Sequence, residues 1–525
     1  MKENSVQLQR EKCFPAWDPA VRQEARRFAV LLAVALVAHF QMIANGLQNP
    51  DSLWLGGDYH IADSWELSLG RWGLVLVDLL RGGFVSPILS GVGMLVLYTA
   101  AGMLLVRVLE AQNSRPLRWL IPLTVVLAPQ VLITESYLFC SIAYALAFLL
   151  AVAAAYWVQR LPRWPGVLLG ALFLMASLSL YQSNVGVTAG LLLMWLLRTL
   201  LDEPEALAAF ARRLGRTLLA CALGLVAYYM VLQLRLYTTQ VALSGYKGAD
   251  SVGVLHALTS LGTGIPQAYR DFFDYFFGRT LAANYYHVRP VYALLFVLAA
   301  VALAVRLWQI RRHRVACLLA VVLVVLLPLA VAAIDLIVPE TTLILLTCSP
   351  LLTVVPFVLT LCARYMGEHR LARAAVWLAV GLTVVLLRGY LLQLNTDSTT
   401  LLASQRTTLT VAQSLLQDLQ QRPEYRAGMP VAIIGQPESG NYPNLSPCYD
   451  KADSLMQMGL LFHSPHANAE GWQQIFKQYL GVALNWSSRE QVMEIVNTPE
   501  YQMMAVYPQE GSLQEIQGCL VARVA

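Results

Sequence analysis

Long apolar runs along this chain alternate with short polar breaks rich in arginine. A helix crossing the hydrocarbon core of a bilayer needs about 20 mostly apolar residues. Eleven runs meet that requirement, at approximately 28–46, 88–107, 118–135, 138–158, 165–181, 184–201, 217–236, 290–308, 315–335, 341–363 and 374–394. Only a few residues separate 118–135 from 138–158 and 165–181 from 184–201, which predicts two tight helical hairpins.

The pattern changes after about residue 395, where Pro, Asn, Gln and Ser become frequent. Residues 404–421 fit an amphipathic helix. The run from Pro430 to Gly435 reads as a buried strand ended by glycine, and Met503–Tyr507 and Cys519–Val524 read as further strands. With helices at 469–480 and 487–495, the tail predicts a small α/β domain. Cys448 and Cys519 both fall in it, either as a disulfide or as two free thiols.

Composition agrees with the runs. Hydrophobic residues make up 57% of 525, charged residues 13%, and the mean hydropathy is +0.55. About a quarter of the residues in an average soluble domain are charged. These values exclude a disordered chain, a nucleic-acid binder and an ordinary soluble enzyme, and they indicate an α-helical polytopic membrane protein. The net charge of +5 says little until the basic residues are placed. With the N-terminus inside, 22 Lys and Arg fall in the inner segments and six in the outer loops. Eleven spans then put the C-terminus outside. The predicted organisation is a cytoplasmic amphipathic segment 1–27, a membrane domain 28–394 with outer loops 46–87 and 237–289, and an extracytoplasmic α/β domain 395–525. The first run lacks an A-x-A cleavage site and reads as a retained helix. Asp18-Pro19 is a helix-start signal, followed by a basic lead-in suited to the inner leaflet.

The first outer loop carries the chemistry. It holds Asp51, Asp58, His60, Asp63, Glu66 and Arg71 within 21 residues of a chain otherwise poor in charge. From Asp63 onward, Trp65, Leu69, Trp72, Leu76 and Leu79 follow helical spacing and predict an interfacial helix. Asp63 and Glu66 could work in the site or form a capping box at the start of that helix. Sugar transfer from a lipid phosphate needs a carboxylate to accept a proton from the acceptor hydroxyl. It also needs a cation to stabilise the departing phosphate, and a place at the membrane boundary. This loop supplies all three.

Several pieces carry a family resemblance: Asn49-Pro50-Asp51, the run Trp65-Glu66-Leu67-Ser68-Leu69-Gly70-Arg71-Trp72, Ser136-Tyr137 with Tyr144-Ala145-Leu146, and Leu180-Tyr181-Gln182. They resemble the GtrII-type bacterial membrane glucosyltransferases of the GT-C class, most closely over about 28–200. The resemblance implies inverting transfer of glucose from a polyprenyl-phosphate donor, typically undecaprenyl-phosphate glucose, to a cell-surface glycan. The site would face outward from the bacterial cytoplasmic membrane. The resemblance puts the catalytic carboxylate in the first outer loop, on Asp51 or Glu66. By their charge, Arg71 and Lys247 are candidate partners of the donor phosphate. Asp58, His60, Asp63, Trp72, Glu135, Tyr137, Tyr181 and Gln182 are candidate substrate contacts. A divalent cation, Mg or Mn, is the one cofactor such carboxylates could take. Glu135 reads as an uncompensated acid at the membrane edge.

No phosphate-binding loop, dinucleotide fingerprint or sizeable cytoplasmic domain supports a nucleotide-sugar donor. A transporter of lipid-linked glycan and a surface-polysaccharide polymerase are the competing classes. Transport would call for ionisable groups inside the spans, whereas here they fall at the ends.

Overall fold

The computed structural model describes residues 18–55, 59–245, 254–278, 288–337, 345–367, 369–426, 428–437, 461 and 465–524. Among them, eleven helices are long and apolar enough to cross a membrane. They are α1 (Pro19–Asn45), α2 (Pro87–Val108), α3 (Arg115–Ser136), α4 (Ser141–Arg160), α5 (Arg163–Leu180), α6 (Gln182–Asp202), α7 (Leu207–Thr239), α8 (Val288–Gln309), α9 (Arg314–Val331), α10 (Leu345–Tyr365) and α11 (Arg370–Gln421). Each coincides with one predicted run, and the chain is a multi-pass helical membrane protein.

The helix faces show why lipid is the solvent. On α1 the inward stripe is Arg27, Leu31, Ala35, His39 and Met42, at near-helical spacing. The outward face carries Val30, Val34, Val37 and Phe40, all exposed. A water-facing helix would reverse that polarity. Asp18 caps α1 by accepting from the Ala20 N–H at 2.9 Å, and Pro19 occupies the first turn. The basic lead-in forms the first turns of this same helix, since nothing between Arg27 and Phe28 breaks it.

Small residues set the closest approaches. A Cβ on Gly186 of α6 would lie 2.0 Å from the Val331 carbonyl oxygen at the end of α9, so only glycine lets these two helices meet.

Helix α3 is interrupted before Pro129, splitting it into Arg115–Val126 and Pro129–Ser136. Proline cannot donate into the helical ladder, and the break frees carbonyls for other partners. The Val126 carbonyl accepts from His39 Nε2 at 3.0 Å. The other ring nitrogen, Nδ1, lies 2.6 Å from Glu135 Oε2. Two sequence expectations change here. Glu135 is not uncompensated, because His39 pairs with it, and His39 is an ionisable group buried within a span. The pair joins residues 96 apart in sequence, so no local pattern could reveal it.

Beyond the spans, α11 continues without interruption to Gln421, joining the apolar run 374–394 to the amphipathic 404–421. A three-stranded sheet follows, in the order β1 (Val431–Ile434), β3 (Cys519–Arg523), β2 (Leu513–Ile516). Strand β1 runs parallel to β3, and β2 runs antiparallel to it. The strand expected at Met503–Tyr507 is absent. Thr498 and Pro499 start a short helix, Pro499–Met503, with the Thr498 hydroxyl accepting from Tyr501. The edge of the sheet is instead Leu513–Ile516, whose exposed Gln514 and Glu515 hide its strand character in sequence. Cys519 is buried in β3, with its sulfur 2.7 Å from the Ser487 hydroxyl, and Cys448 lies outside the described residues.

The C-terminal core reaches back to the first loop. Leu53, fully buried, packs with Val411, Leu415, Trp472 and Phe476. Gln478 donates to the Leu53 carbonyl at 3.1 Å, and Gln48 and Gln405 both donate to the Tyr479 hydroxyl, at 2.8 and 3.1 Å.

Candidate active site

Gly46 ends α1 in the left-handed conformation, φ 58°, which turns the chain into the short helix Pro50–Leu55. Asn49 caps that helix by accepting from the Ser52 N–H at 2.9 Å. The same segment is tied to the end of α3. Asn49 N–H and Ser52 Oγ donate to the Ser136 carbonyl at 3.2 and 2.8 Å, and Ser52 Oγ accepts from Leu138 N–H at 3.0 Å. This clamp brings Asp51 close to Tyr137, near enough for the hydroxyl to act on its carboxylate. Burial pushes the Asp51 carboxyl above the usual aspartate range, against the opposing pull of Tyr137 and the nearby Arg71.

Arg71 is the cation of the cluster. Its Nη1 donates to the Tyr144 hydroxyl at 2.7 Å. Its guanidinium carbon lies 5.7 Å from the Tyr144 ring centre and 5.4 Å from that of Tyr181. Those rings stack on each other with centres 4.3 Å apart. Arg71 forms no ion pair among the described residues, and its buried Nε has no hydrogen-bond partner. A guanidinium seated on aromatic rings without a carboxylate is available to an incoming anion.

The expected continuous helix from Asp63 breaks. Ser64–Ser68 and Leu74–Leu80 are separate helices, because Gly70 adopts φ 81°. That conformation favours glycine. A Cβ on Gly70 would also lie 2.6 Å from the Tyr228 hydroxyl and 2.8 Å from Gln182 Nε2. Both groups hold the turn: Gln182 donates to the Leu69 carbonyl at 2.7 Å and Tyr228 to the Gly70 carbonyl at 2.9 Å. Gly70→Ala is therefore expected to destabilise the protein by about 1–3 kcal/mol and to displace Arg71. A lower Tm together with reduced activity would show it; an unchanged Tm would refute the strain.

Asp63 and Glu66 form the capping box. Asp63 Oδ1 accepts from Trp65 N–H at 2.8 Å, and Glu66 Oε2 accepts from Asp63 N–H at 3.0 Å. The other Glu66 oxygen lies 3.0 Å from His60 Nε2. Burial raises the Glu66 pKa, but His60 and the backbone N–H groups of Asp63 and Glu66 outweigh it and bring the carboxyl down to about 2. Asp78, a neighbour of this group, accepts from Ala62 N–H at 2.9 Å and pairs with Arg81 at 2.7 Å.

A cavity of about 330 Å³ opens beside these residues. Asp63, Arg71 and Trp72 line it, with Leu67 and with Arg235 from the end of α7. The structure thus gathers Asp51, Tyr137, Arg71 and Tyr181 into one cluster, with Asp63 and Trp72 on the adjoining cavity. His60 and Glu66 brace the loop behind it, and Gln182 holds its turn. Glu135 belongs to the separate pair with His39. Asp58 and Lys247 lie outside the described residues. Among the described residues, no group of three His, Cys, Asp or Glu side chains forms a metal site.

Sequence reasoning assigned no role to Tyr144, Tyr228 or Arg235. Tyr144 had a signal, since it stands seven residues after Tyr137 and lands near it, ring centres 6.4 Å apart. Arg235 had a weaker one, a cation inside the end of an apolar run.

Residues 58–361, more than half of the chain, match the family described as Glucosyl transferase GtrII. Arg71, Tyr137, Tyr144 and Tyr181 fall inside the matched stretch, and Asp51 precedes it. No curated protein and no solved structure matches the chain.

Proposed function

We propose that this chain, which belongs to the Glucosyl transferase GtrII family, moves glucose from a polyprenyl phosphate to a cell-surface glycan. The transfer inverts the anomeric carbon and takes place on the outer face of a bacterial cytoplasmic membrane. The observation that carries this reading is the placing of a half-buried carboxylate, Asp51, near an arginine that has no acidic ion-pair partner among the described residues. Both stand at the end of the membrane helices, where a lipid headgroup would lie.

The acceptor hydroxyl attacks the anomeric carbon from the face opposite the phosphate. The new C–O bond forms as the bond to the phosphate oxygen breaks, and the acceptor proton passes to Asp51. The lipid phosphate leaves with the bonding electrons, and Arg71 stabilises its added charge. Tyr137 orients the base, and Tyr144 and Tyr181 hold the guanidinium flat. Trp72 and Asp63 on the cavity wall are placed for the sugar, one by stacking and one by hydrogen bonding.

The two candidate bases differ in geometry. Glu66 accepts from the backbone through one oxygen, has the other beside His60 and has a strongly depressed pKa, which suits a brace and makes it a weak base. Asp51 has the raised pKa of a better base. Glu66→Gln is expected to cost about 1 kcal/mol of stability through the weakened cap and to change kcat less than about tenfold. Thermal melts beside turnover would check this, and a collapse of kcat at unchanged Tm would return Glu66 to the role of base.

The functional test supplies radiolabelled undecaprenyl-phosphate glucose and cell-envelope glycan to the protein in lipid vesicles. Label is expected in the glycan. Label that only crosses the bilayer, unincorporated, would mark a transporter instead.

A further inference from the structure

At the opposite end of the bundle from Asp51 and Arg71, a second cavity of about 370 Å³ lies among the ends of α4, α5, α6 and α7. Five arginines line it: Arg160, Arg198, Arg213, Arg216 and Arg364. Three acids, Glu110, Asp202 and Glu203, line it too. The acids are consumed pairwise. Arg198 meets Glu110 at 2.9 Å, Arg364 meets Asp202 at 2.7 Å and Arg213 meets Glu203 at 3.3 Å. Arg160 and Arg216 have no carboxylate partner among the described residues, which leaves two positive charges over.

The unpartnered buried atoms around this cavity are all donors: Arg198 Nε, Arg216 Nε and Gln159 Nε2. Arg198 is only 3% exposed. Buried donors without acceptors are costly, and an anion with several acceptor oxygens would satisfy them. The walls above the cavity are apolar and outward-facing. Trp164, Leu168 and Leu172 recur every four residues along α5 on its exposed side. Leu218, Leu225 and Tyr229, spaced seven and four residues apart, are likewise exposed along α7. A ligand with a phosphate head and hydrocarbon tails would meet matching chemistry at both levels, whereas a free phosphate would use only the lower one.

We propose that this cavity binds the phosphodiester headgroup of an anionic phospholipid, with the acyl chains lying along the exposed faces of α5 and α7. The site is separate from the transfer site and does not depend on its chemistry.

The test uses the full chain in nanodiscs of phosphatidylcholine containing a minor fraction of phosphatidylglycerol, with retained lipid counted by native mass spectrometry. Wild type is expected to retain phosphatidylglycerol preferentially. Arg160→Gln combined with Arg216→Gln is expected to weaken that retention roughly thirtyfold, for the loss of two cations. Arg160→Gln alone, at an exposed position, gives a smaller loss with little risk to folding, and Glu203→Gln should strengthen retention by removing a negative charge. Equal retention of both lipids by wild type would overturn the proposal, as would retention unchanged in the arginine variants. Displacement by soluble glycerol 3-phosphate at an affinity equal to that of the lipid would overturn the lipid assignment in favour of a free phosphate ester.

Discussion

Replacing Asp51 by asparagine is expected to lower kcat by about 10²–10⁴, the range a positioned general base supplies. The substitution keeps the size and polarity of the side chain, so Tm should barely move. The pH profile gives a sharper test. The base works only when ionised, so the rate falls as pH drops through its pKa. Burial raises the Asp51 pKa, and the acid limb of kcat/KM should therefore lie above the ordinary aspartate value. Glu66, depressed to about 2, remains ionised across that range and cannot produce such a limb. The limb should survive Glu66→Gln and vanish from the residual activity of Asp51→Asn. A limb unchanged in Asp51→Asn would remove Asp51 from the role of base.

Loss of the Arg71 guanidinium is the second large effect. Arg71→Gln is expected to cost about 10²–10³ in kcat, as removal of a group that stabilises charge in a transition state usually does. The effect should fall on kcat more than on KM, because the phosphate gains charge as the glycosidic bond breaks. Arg71→Lys should recover only part of the loss. A lysine restores the charge but not the planar fork that bonds Tyr144 while lying over the Tyr144 and Tyr181 rings. Full recovery by lysine would mean that charge alone matters and that the aromatic seat is incidental. A donor with a better leaving group should be less sensitive to both substitutions, which separates this role from a purely structural one.

The membrane helices were legible because a span must be long and continuously apolar, a signal carried within each segment. Asp18, Asp63 and Glu66 were legible as caps for a similar reason, since a cap reads from residues two or three apart. The loop after Asp63 was harder. Its apolar spacing runs on through Trp72 as if helical, and the turn at Gly70 depends on Gln182 and Tyr228, more than a hundred residues away. The pairing of His39 with Glu135 and the seating of Arg71 on Tyr144 and Tyr181 are likewise contacts between distant segments. The edge strand Leu513–Ile516 was missed because half of it faces water and reads as polar. Sequence therefore named most of the cluster around Asp51 without ordering its members. The two carboxylates became distinguishable only when their partners were known.

The seating of Leu53 among Val411, Leu415 and Trp472 bears on how proteins of this kind can diversify. Asp51 stands two residues before a side chain that belongs to the core of the C-terminal region. A change in that core is felt by the Pro50–Leu55 helix, so the tail and the first loop cannot be inherited as independent modules. Chimeras that exchange residues 395–525 with a relative should work only when segment 47–55 travels with them. A new acceptor preference acquired in the tail would then have to be accompanied by compensating substitutions nearly 400 residues earlier in the chain.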